Sequence, residues 1–533
     1  MRSVMKHRFS EVPTVNIPRS TFDRSHGFKA TLDASYLVPC FVDIAYPGDT
    51  FKINMAGFCR MAPSALTNPI MDNIKMDTFF FAVPIRLLWS NWKKFCGEQV
   101  NPGDSISYTI PQNVVNNAVN MSLADYMGIP TQIAANNSVN ALPFRAYWMI
   151  YNEWFRDENL IDAVDANWTT GDGPDTQSVE ATSDVLKRCK KHDYFTSCLP
   201  WLQKGTALDL PLGTTAPVYG VSLDFDGDDN QDNVINVYDA IGSGASLKKL
   251  ENDTVDASTN VIGGASSSGD GYLAADLTQA TAATVNELRQ AIQLQRMLEK
   301  DARSGTRYIE IVKSYFGIES DDARMQRPEY LGGGSTPVTI NSVAETASGT
   351  AGQLGAYGTA GFNGHGFVKS FTEHCIVIGL VNVNCDLTYQ EGAERFWFDS
   401  TRYDLYWPTL AHLGEQAVLN REIYLDATDL GDSTDEGVFG YQERYAHLKY
   451  KPSRVAGKFR SNDAATLDAW HLCTEFGDTP TLDSTFIVDN AVTNIDRVLA
   501  APTEPQFLLD AYFNFKATRP MPIYSVPGYV DHF

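Results

Sequence analysis

"MDTFFFAVPIRLLWSNWKKFCGEQ" (residues 76–99) sets the problem for the whole chain. Residues 77–85 form a short aromatic and β-branched run that ends on Pro84 and Ile85, a strand by composition. Phe79, Phe80 and Phe81 are consecutive in it. Successive side chains of a strand point to opposite faces, so a triple phenylalanine needs apolar cover on both sides. Phe79 and Phe81 are expected in the chain's own core, with Phe80 facing something else. Trp89, Trp92 and Phe95 come next in the chain. Either this is ordinary core, or it is surface that another copy of the chain covers. Phe80, Trp89, Trp92 and Phe95 are the candidates for such a subunit contact.

Similar short β-rich runs lie at 36–44, 50–58, 375–383, 437–445, 484–490 and 506–515, bounded by turn signals such as "YPGDT" at 46–50. The spacing predicts a mainly β chain with long insertions. Two stretches read as helix. In 143–160, Phe144, Tyr147, Trp148, Tyr151 and Phe155 make a helical stripe, with Arg145, Asn152, Glu153, Arg156 and Asp157 on the other face. The second, 284–305, ends on Gly305.

The net charge of −23 disfavours contact with nucleic acid or anionic membrane unless basic residues are segregated. Two segments qualify. Residues 1–30 read as a basic extended arm, with Arg2, Lys6 and Arg8 at its start. "KYKPSRVAGKFR" (449–460) mixes Lys449, Lys451, Arg454, Lys458 and Arg460 with Tyr450 and Phe459, and holds no acid. Cations with stacking rings suit a single strand. No run of about 18 apolar residues is present, so no membrane insertion is expected. The start lacks the apolar segment of a signal peptide. The eight cysteines are scattered and read as reduced, buried thiols.

Residues 222–276 carry eleven acids and two lysines among Gly, Ser, Asn and Ala. Such a stretch has no core to serve and is expected to project into solvent. Residues 331–366, rich in Gly, Ser, Ala and Thr, read as a second loop.

Catalytic chemistry leaves little trace. The histidines form no HExxH pattern, and neither a GxSxG nor a P-loop lysine is present. Asp224, Asp226, Asp228, Asp229 and Asp232 begin like a calcium loop. Asp229 and Ile235 stand where that template needs Gly and Glu, which leaves a loose calcium site open and no other cofactor implied. No enzyme is expected. The alternative class is a glycan-binding or glycan-cleaving β-sandwich, whose Tyr and Trp would stack on sugars. It would need paired carboxylates, and none can be assigned.

The ordered stretches "FSEVPTVNIPRSTFDRSHGFKATLDASYLVPCFVDIAYPGDTF" (9–51), "PIMDNIKMDTFFFAVPIRLLWSNWKKFCGEQ" (69–99), "FRAYWMIYNEWFRDENL" (144–160), "YWPTLAHLGEQAVLNREIY" (406–424), "VFGYQERYAHLKYKPSRVAGKFRS" (438–461) and "RPMPIYSVPGYVDHF" (519–533) closely resemble the major capsid proteins of gokushoviruses, a branch of the Microviridae. The resemblance implies an eight-stranded antiparallel jelly roll with long loop insertions and a few helices. It implies a T=1 icosahedral shell of identical subunits around circular single-stranded DNA, built in the host bacterial cytoplasm. It further implies an internal scaffolding protein, a small basic DNA-binding protein, and a host receptor. That receptor would be met by the 205–283 insertion as a threefold protrusion, with Asp224–Asp232 on it. The single capsid domain would span 31–533.

Overall fold

The computed structural model describes residues 18–61, 66–131, 137–164, 170–206, 208, 218–219, 274–275, 285–346, 354–425 and 434–524. The chain divides into two units, Met1–Leu202 with Asp301–Phe533, and Gln203–Lys300.

In the first unit nine strands form one antiparallel sheet: β1 (Ser20–Asp23), β2 (His26–Leu32), β3 (Val38–Ala45), β4 (Thr50–Met61), β5 (Ile74–Pro84), β6 (Glu329–Ala344), β7 (Leu354–Ser370), β8 (Cys375–Cys385) and β9 (Phe507–Arg519). Their order is β1-β9-β4-β7-β6-β5-β8-β3, and β2 also pairs with β9. β1 and β2 occupy consecutive stretches of the same β9 edge. The nine strands therefore fill eight positions, as a jelly roll does.

β6 turns the sheet over on itself. Its residues 329–338 pair with β5, whereas 339–344 pair with β7. One layer is then β3-β8-β5-β6, the other β7-β4-β9 with β1 and β2. Aromatic rings seal the space between them. Phe41 of β3 lies 5.4 Å from Phe513 and 5.5 Å from Phe515 of β9. Phe80 of β5 lies 5.5 Å from Phe367 of β7.

The triple phenylalanine serves both faces of the first layer. Phe80 points between the layers and is wholly buried. Phe79 and Phe81 point outward, where α1 (Leu142–Ile150) continues into a π-helical turn, Tyr151–Phe155. Phe155 lies 5.2 Å from Phe79, and Trp154 5.4 Å from Phe81. Double cover buries β5 and β8 on both faces, and the polar side chains they enclose are paired: Asn384 donates to the Asp77 carboxylate at 2.8 Å and Asn382 to the Tyr36 carbonyl at 3.0 Å. β8, "CIVIGLVNVNC", is buried along its whole length.

The second layer has a bare outer face. Along β4, Lys52, Asn54, Phe58 and Arg60 are exposed while Phe51, Ile53, Met55, Cys59 and Met61 are buried. Along β9, Asp510, Tyr512, Asn514 and Lys516 alternate with buried Leu509, Ala511, Phe513 and Phe515. A strict period of two marks a sheet that faces solvent on one side.

Four expectations need correction. The basic arm does not reach residue 30, because β1 and β2 are ordered sheet edge; their polar residues are simply the outward ones. The Gly-rich 331–366 is not a loop but β6 and much of β7, on either side of 347–353. Glycine is needed there because backbones meet closely: a Cβ on Gly333 would sit 2.0 Å from the Thr78 carbonyl oxygen, and one on Gly366 2.0 Å from that of Ile53. Gly366→Ala is accordingly expected to destabilise the barrel by about 1–3 kcal/mol, read as a lower thermal midpoint; an unchanged midpoint contradicts this packing. Residues 484–490 do not form a strand. Asp483 caps a one-turn helix there, its carboxylate accepting the N–H groups of Thr485 and Phe486 at 2.8 and 3.0 Å.

The fourth correction concerns Arg145, read as part of a polar helix face. It is wholly buried. Its guanidinium donates to both Asp175 carboxylate oxygens, at 2.8 and 2.5 Å, and to the carbonyls of Leu88 and Gly171 at 3.0 Å each. Leu88 closes the one-turn helix Ile85–Leu88, so Arg145 satisfies a helix-end carbonyl that has no partner in its own turn.

All eight cysteines are free thiols; seven are buried and Cys96 is exposed. Among the described residues no helix is long and apolar enough to cross a membrane.

The second unit holds residues 285–300 of α2 (Val285–Arg303), on which Gln295 donates to Glu299 at 3.0 Å. Two short strands, Val218–Tyr219 and Ala274–Ala275, pair antiparallel. They bring together the ends of the acidic stretch. Asp224, Asp226, Asp228, Asp229 and Asp232 lie between them, outside the described residues.

Candidate assembly surface and cationic cleft

A second hydrophobic cluster stands apart from the barrel. It gathers Tyr194, Phe195, Cys198, Tyr389, Val418, Ile423, Phe439, Ala446 and Phe486. Its polar groups are closed off internally. The carboxylate of Glu422, only 6% exposed, accepts from Tyr194 Oη at 2.7 Å, Arg395 at 3.1 Å and the Leu419 N–H at 3.1 Å. Arg395 also donates to the Ala417 carbonyl at 2.7 Å. Arg395 is thus pinned on the cluster's surface. The chain it heads, a 3-10 turn at Arg395–Phe398, is held beside it.

From this turn to Leu413 the chain is rich in uncovered apolar side chains. Trp397 is 68% exposed, Tyr403 70%, Tyr406 53% and Leu413 63%, with Phe396, Leu405 and Trp407 also exposed. The rings are ordered by local contacts. Phe396 and Trp397 lie 4.6 Å apart, Tyr406 packs edge-on against Tyr445 at 5.0 Å, and Arg402 sits 4.9 Å over Trp407, whose indole donates to the Arg402 carbonyl at 2.9 Å. A run of this kind has the aromatic-rich, charge-poor composition of interface centres. "FWFDSTRYDLYWP" (396–408) holds six aromatics in no helical or strand period. That aperiodic density was the available signal, and a search for periodic stripes passes over it.

Beside this band lies a cleft of about 460 Å³ whose walls include Phe396, Trp397, Tyr450, Arg454 and Arg460. Within the 449–460 segment the five cations and Tyr450 are exposed. Three of its five cations are already paired within the chain. Lys449 meets Glu443 at 2.6 Å, and Lys451 and Arg454 meet Glu394 at 3.1 and 3.2 Å. Lys458 is exposed, and Phe459 is half-buried, 5.7 Å from His471.

Glu391, between Gln390 and Gly392 of the cleft wall in sequence, accepts the Phe476 N–H at 2.9 Å. Burial pushes its carboxyl up to about 7, and Glu475 adds to the rise. A carboxyl whose folded value exceeds its ordinary 4.5 favours the folded state while protonated. That contribution is complete below pH 4.5 and is lost as pH rises through about 7. Glu391→Gln is expected to raise the thermal midpoint relative to the parent at pH 8 and to leave the two close at pH 5. A constant difference across that range contradicts the assignment.

The contact candidates from 76–99 are placed differently from expectation. Phe80 and Trp89 are wholly enclosed by their own chain. Trp89 donates its indole N–H to Asp172 at 2.6 Å, and residues 170–175 cover it; no sequence period connects these segments. Phe80 and Trp89 offer no surface to a second copy. Trp92 and Phe95 are half-buried against the same core, with Trp92 5.2 Å from His374. Arg2, Lys6 and Arg8 lie outside the described residues. Among the described residues no cluster of His, Cys, Asp or Glu is arranged to hold a metal ion.

Residues 10–529 match the protein family described as capsid protein (F protein). The chain is 43% identical over 541 residues to the capsid protein VP1 of Bdellovibrio phage phiMH2K, covering 99% of this chain and 98% of that one. It is 43% identical over 594 residues to capsid protein VP1 of Chlamydia phage 1, with 99% and 98% covered. To capsid protein VP1 of Spiroplasma virus 4 it is 35% identical over 549 residues, with 98% and 97% covered.

Proposed function

The chain belongs to the phage capsid protein (F protein) family of the Microviridae, a structural rather than enzymatic family, and from that premise we propose that it is the shell subunit of a gokushovirus, closing as a T=1 icosahedron around circular single-stranded DNA. The observation that carries this reading is the ordered aromatic band at 396–413, which the chain's own fold leaves uncovered. One chain per asymmetric unit needs distinct patches that close around different axes. The band, and the half-buried Trp92 and Phe95, are such patches. A standard contact buries about 1,600 Å², and closure makes several modest contacts act together. Electron microscopy of the expressed protein tests it: closed particles are expected, and a persistent monomer at high concentration refutes it.

The acidic insertion is the outward element in this reading, and the host receptor its partner. An excursion with no core to serve is where recognition is placed. Deleting 225–272 is expected to leave particle yield intact and to lower attachment to host cells; undiminished attachment counts against the receptor role. The basic arm with Arg2, Lys6 and Arg8, and the 449–460 segment, face the interior. There they meet DNA, the phage's small basic protein and its internal scaffold, during assembly in the host cytoplasm. Support for the segment's role is the cleft that joins its cations to Phe396 and Trp397.

A further inference from the structure

Three of the five cations in 449–460 are neutralised by Glu394 and Glu443, so the cleft alone offers little free counter-charge to a polyanion. A second basic and aromatic surface exists elsewhere. The bare outer face of β1/β2-β9-β4-β7 presents Lys29, Lys52, Arg60 and Lys516 against Asp23 and Asp510. Lys29 pairs with Asp510 at 2.5 Å. Lys52 and Arg60 have no acidic partner among the described residues. Such an excess of cations is unusual on a chain of net charge −23.

The same face carries Tyr357 at 39% toward one end of β7 and, between adjacent strands, two more exposed rings, Phe58 at 51% and Tyr512 at 54%. Register fixes their relation. Phe58 is opposite Asp510 and Tyr512 opposite Ala56, so the rings stand on a diagonal between adjacent strands, about 7–8 Å apart. Around them the face is low: Gly27, Ala56, Gly361 and Gly366 flank it, with Asn54 opposite Asn514. At its end a groove of about 670 Å³ is lined by Lys29, Phe58, Arg60 and Leu508, with Asp125 and Asp510 also on its wall.

We propose that this sheet face is a binding surface for single-stranded DNA, with Phe58 and Tyr512 stacking bases and Lys52, Arg60 and Lys516 contacting phosphates. The proposal rests on the shell reading, and makes this layer the inner wall. Flat aromatic sheet faces flanked by cations hold single strands without demanding sequence. A second copy of the chain fits less well, because subunit contacts are depleted of charge at their centres and this face is charged and glycine-lined. A small basic protein would be repelled by it.

The test uses the full chain and a labelled oligothymidylate of about 15 nucleotides, followed by fluorescence anisotropy. Phe58→Ser with Tyr512→Ser is expected to weaken binding at least about tenfold. Lys52→Gln with Arg60→Gln is expected to reduce the salt slope of binding by about 1.4. All four side chains are exposed, so unchanged thermal midpoints certify the folds. Binding by the ring pair within twofold of the parent overturns the proposal. Ultraviolet crosslinking in intact particles is expected to mark 50–61 and 507–519; crosslinks confined to other peptides overturn it. A ring pair that binds oligothymidylate normally but no longer forms particles makes the face a contact between copies, which also overturns it. Failure of the parent chain to form particles refutes the shell reading instead, and is read separately by microscopy.

Discussion

Arg145→Met is expected to leave almost no soluble, folded protein. The guanidinium it removes is wholly enclosed and engages both oxygens of Asp175, itself 7% exposed, with the carbonyls of Leu88 and Gly171. The variant strands the Asp175 carboxylate in the interior and removes the donor that the Leu88 and Gly171 carbonyls share. Breaking a buried pair from one side costs about 3–5 kcal/mol, a large part of the roughly 5–15 kcal/mol that holds a typical domain together. Soluble yield and a denaturant midpoint check it. Pairing Arg145→Met with Asp175→Leu is expected to recover part of the loss, since the second change removes the stranded charge. A single variant with parental yield and midpoint refutes the arrangement.

The second large effect lies on the surface. Trp397→Asp is expected to abolish particles while the isolated subunit melts as the parent does. Trp397 is 68% exposed and supports no core, so little folding energy depends on it. In a contact, one buried tryptophan contributes about 2 kcal/mol or more, and a shell repeats that loss at every copy. Replacing it by a carboxylate adds the cost of desolvating a charge. Particle counts by microscopy and sedimentation of the unassembled chain are the measurements. Normal particles from a folded Trp397→Asp chain exclude this residue from the contact.

Where side chains alternate or run apolar against near neighbours, the fold could be read before the structure. Residues 36–44, 50–58, 77–85, 375–383 and 506–515 correspond to β3, β4, β5, β8 and β9. The stripe through Phe144, Tyr147, Trp148 and Tyr151 marks α1 and its π-helical end. Legibility failed where the deciding partner is distant. Arg145 looks solvated because Asp175 lies on another segment. Trp89 looks available because Asp172 does. The glycines of β6 and β7 resemble loop residues, since close approach of Thr78 and Ile53 is invisible along the chain. The band at 396–413 has no period, being positioned by Arg395 and Tyr445 rather than by an element of its own.

β9 enters the sheet between β4 on one side and β1 with β2 on the other. A ribosome makes all of these strands before β9. Until translation has passed residue 519, β4 and β2 each keep an open edge, and the second layer lacks the strand that joins them. Closure of that layer therefore serves as a completeness check: a polypeptide that stops early, even with the aromatic band already made, retains unpaired strands and no finished wall to contribute. Timing of this kind would keep unfinished chains out of growing particles without any dedicated proofreading factor.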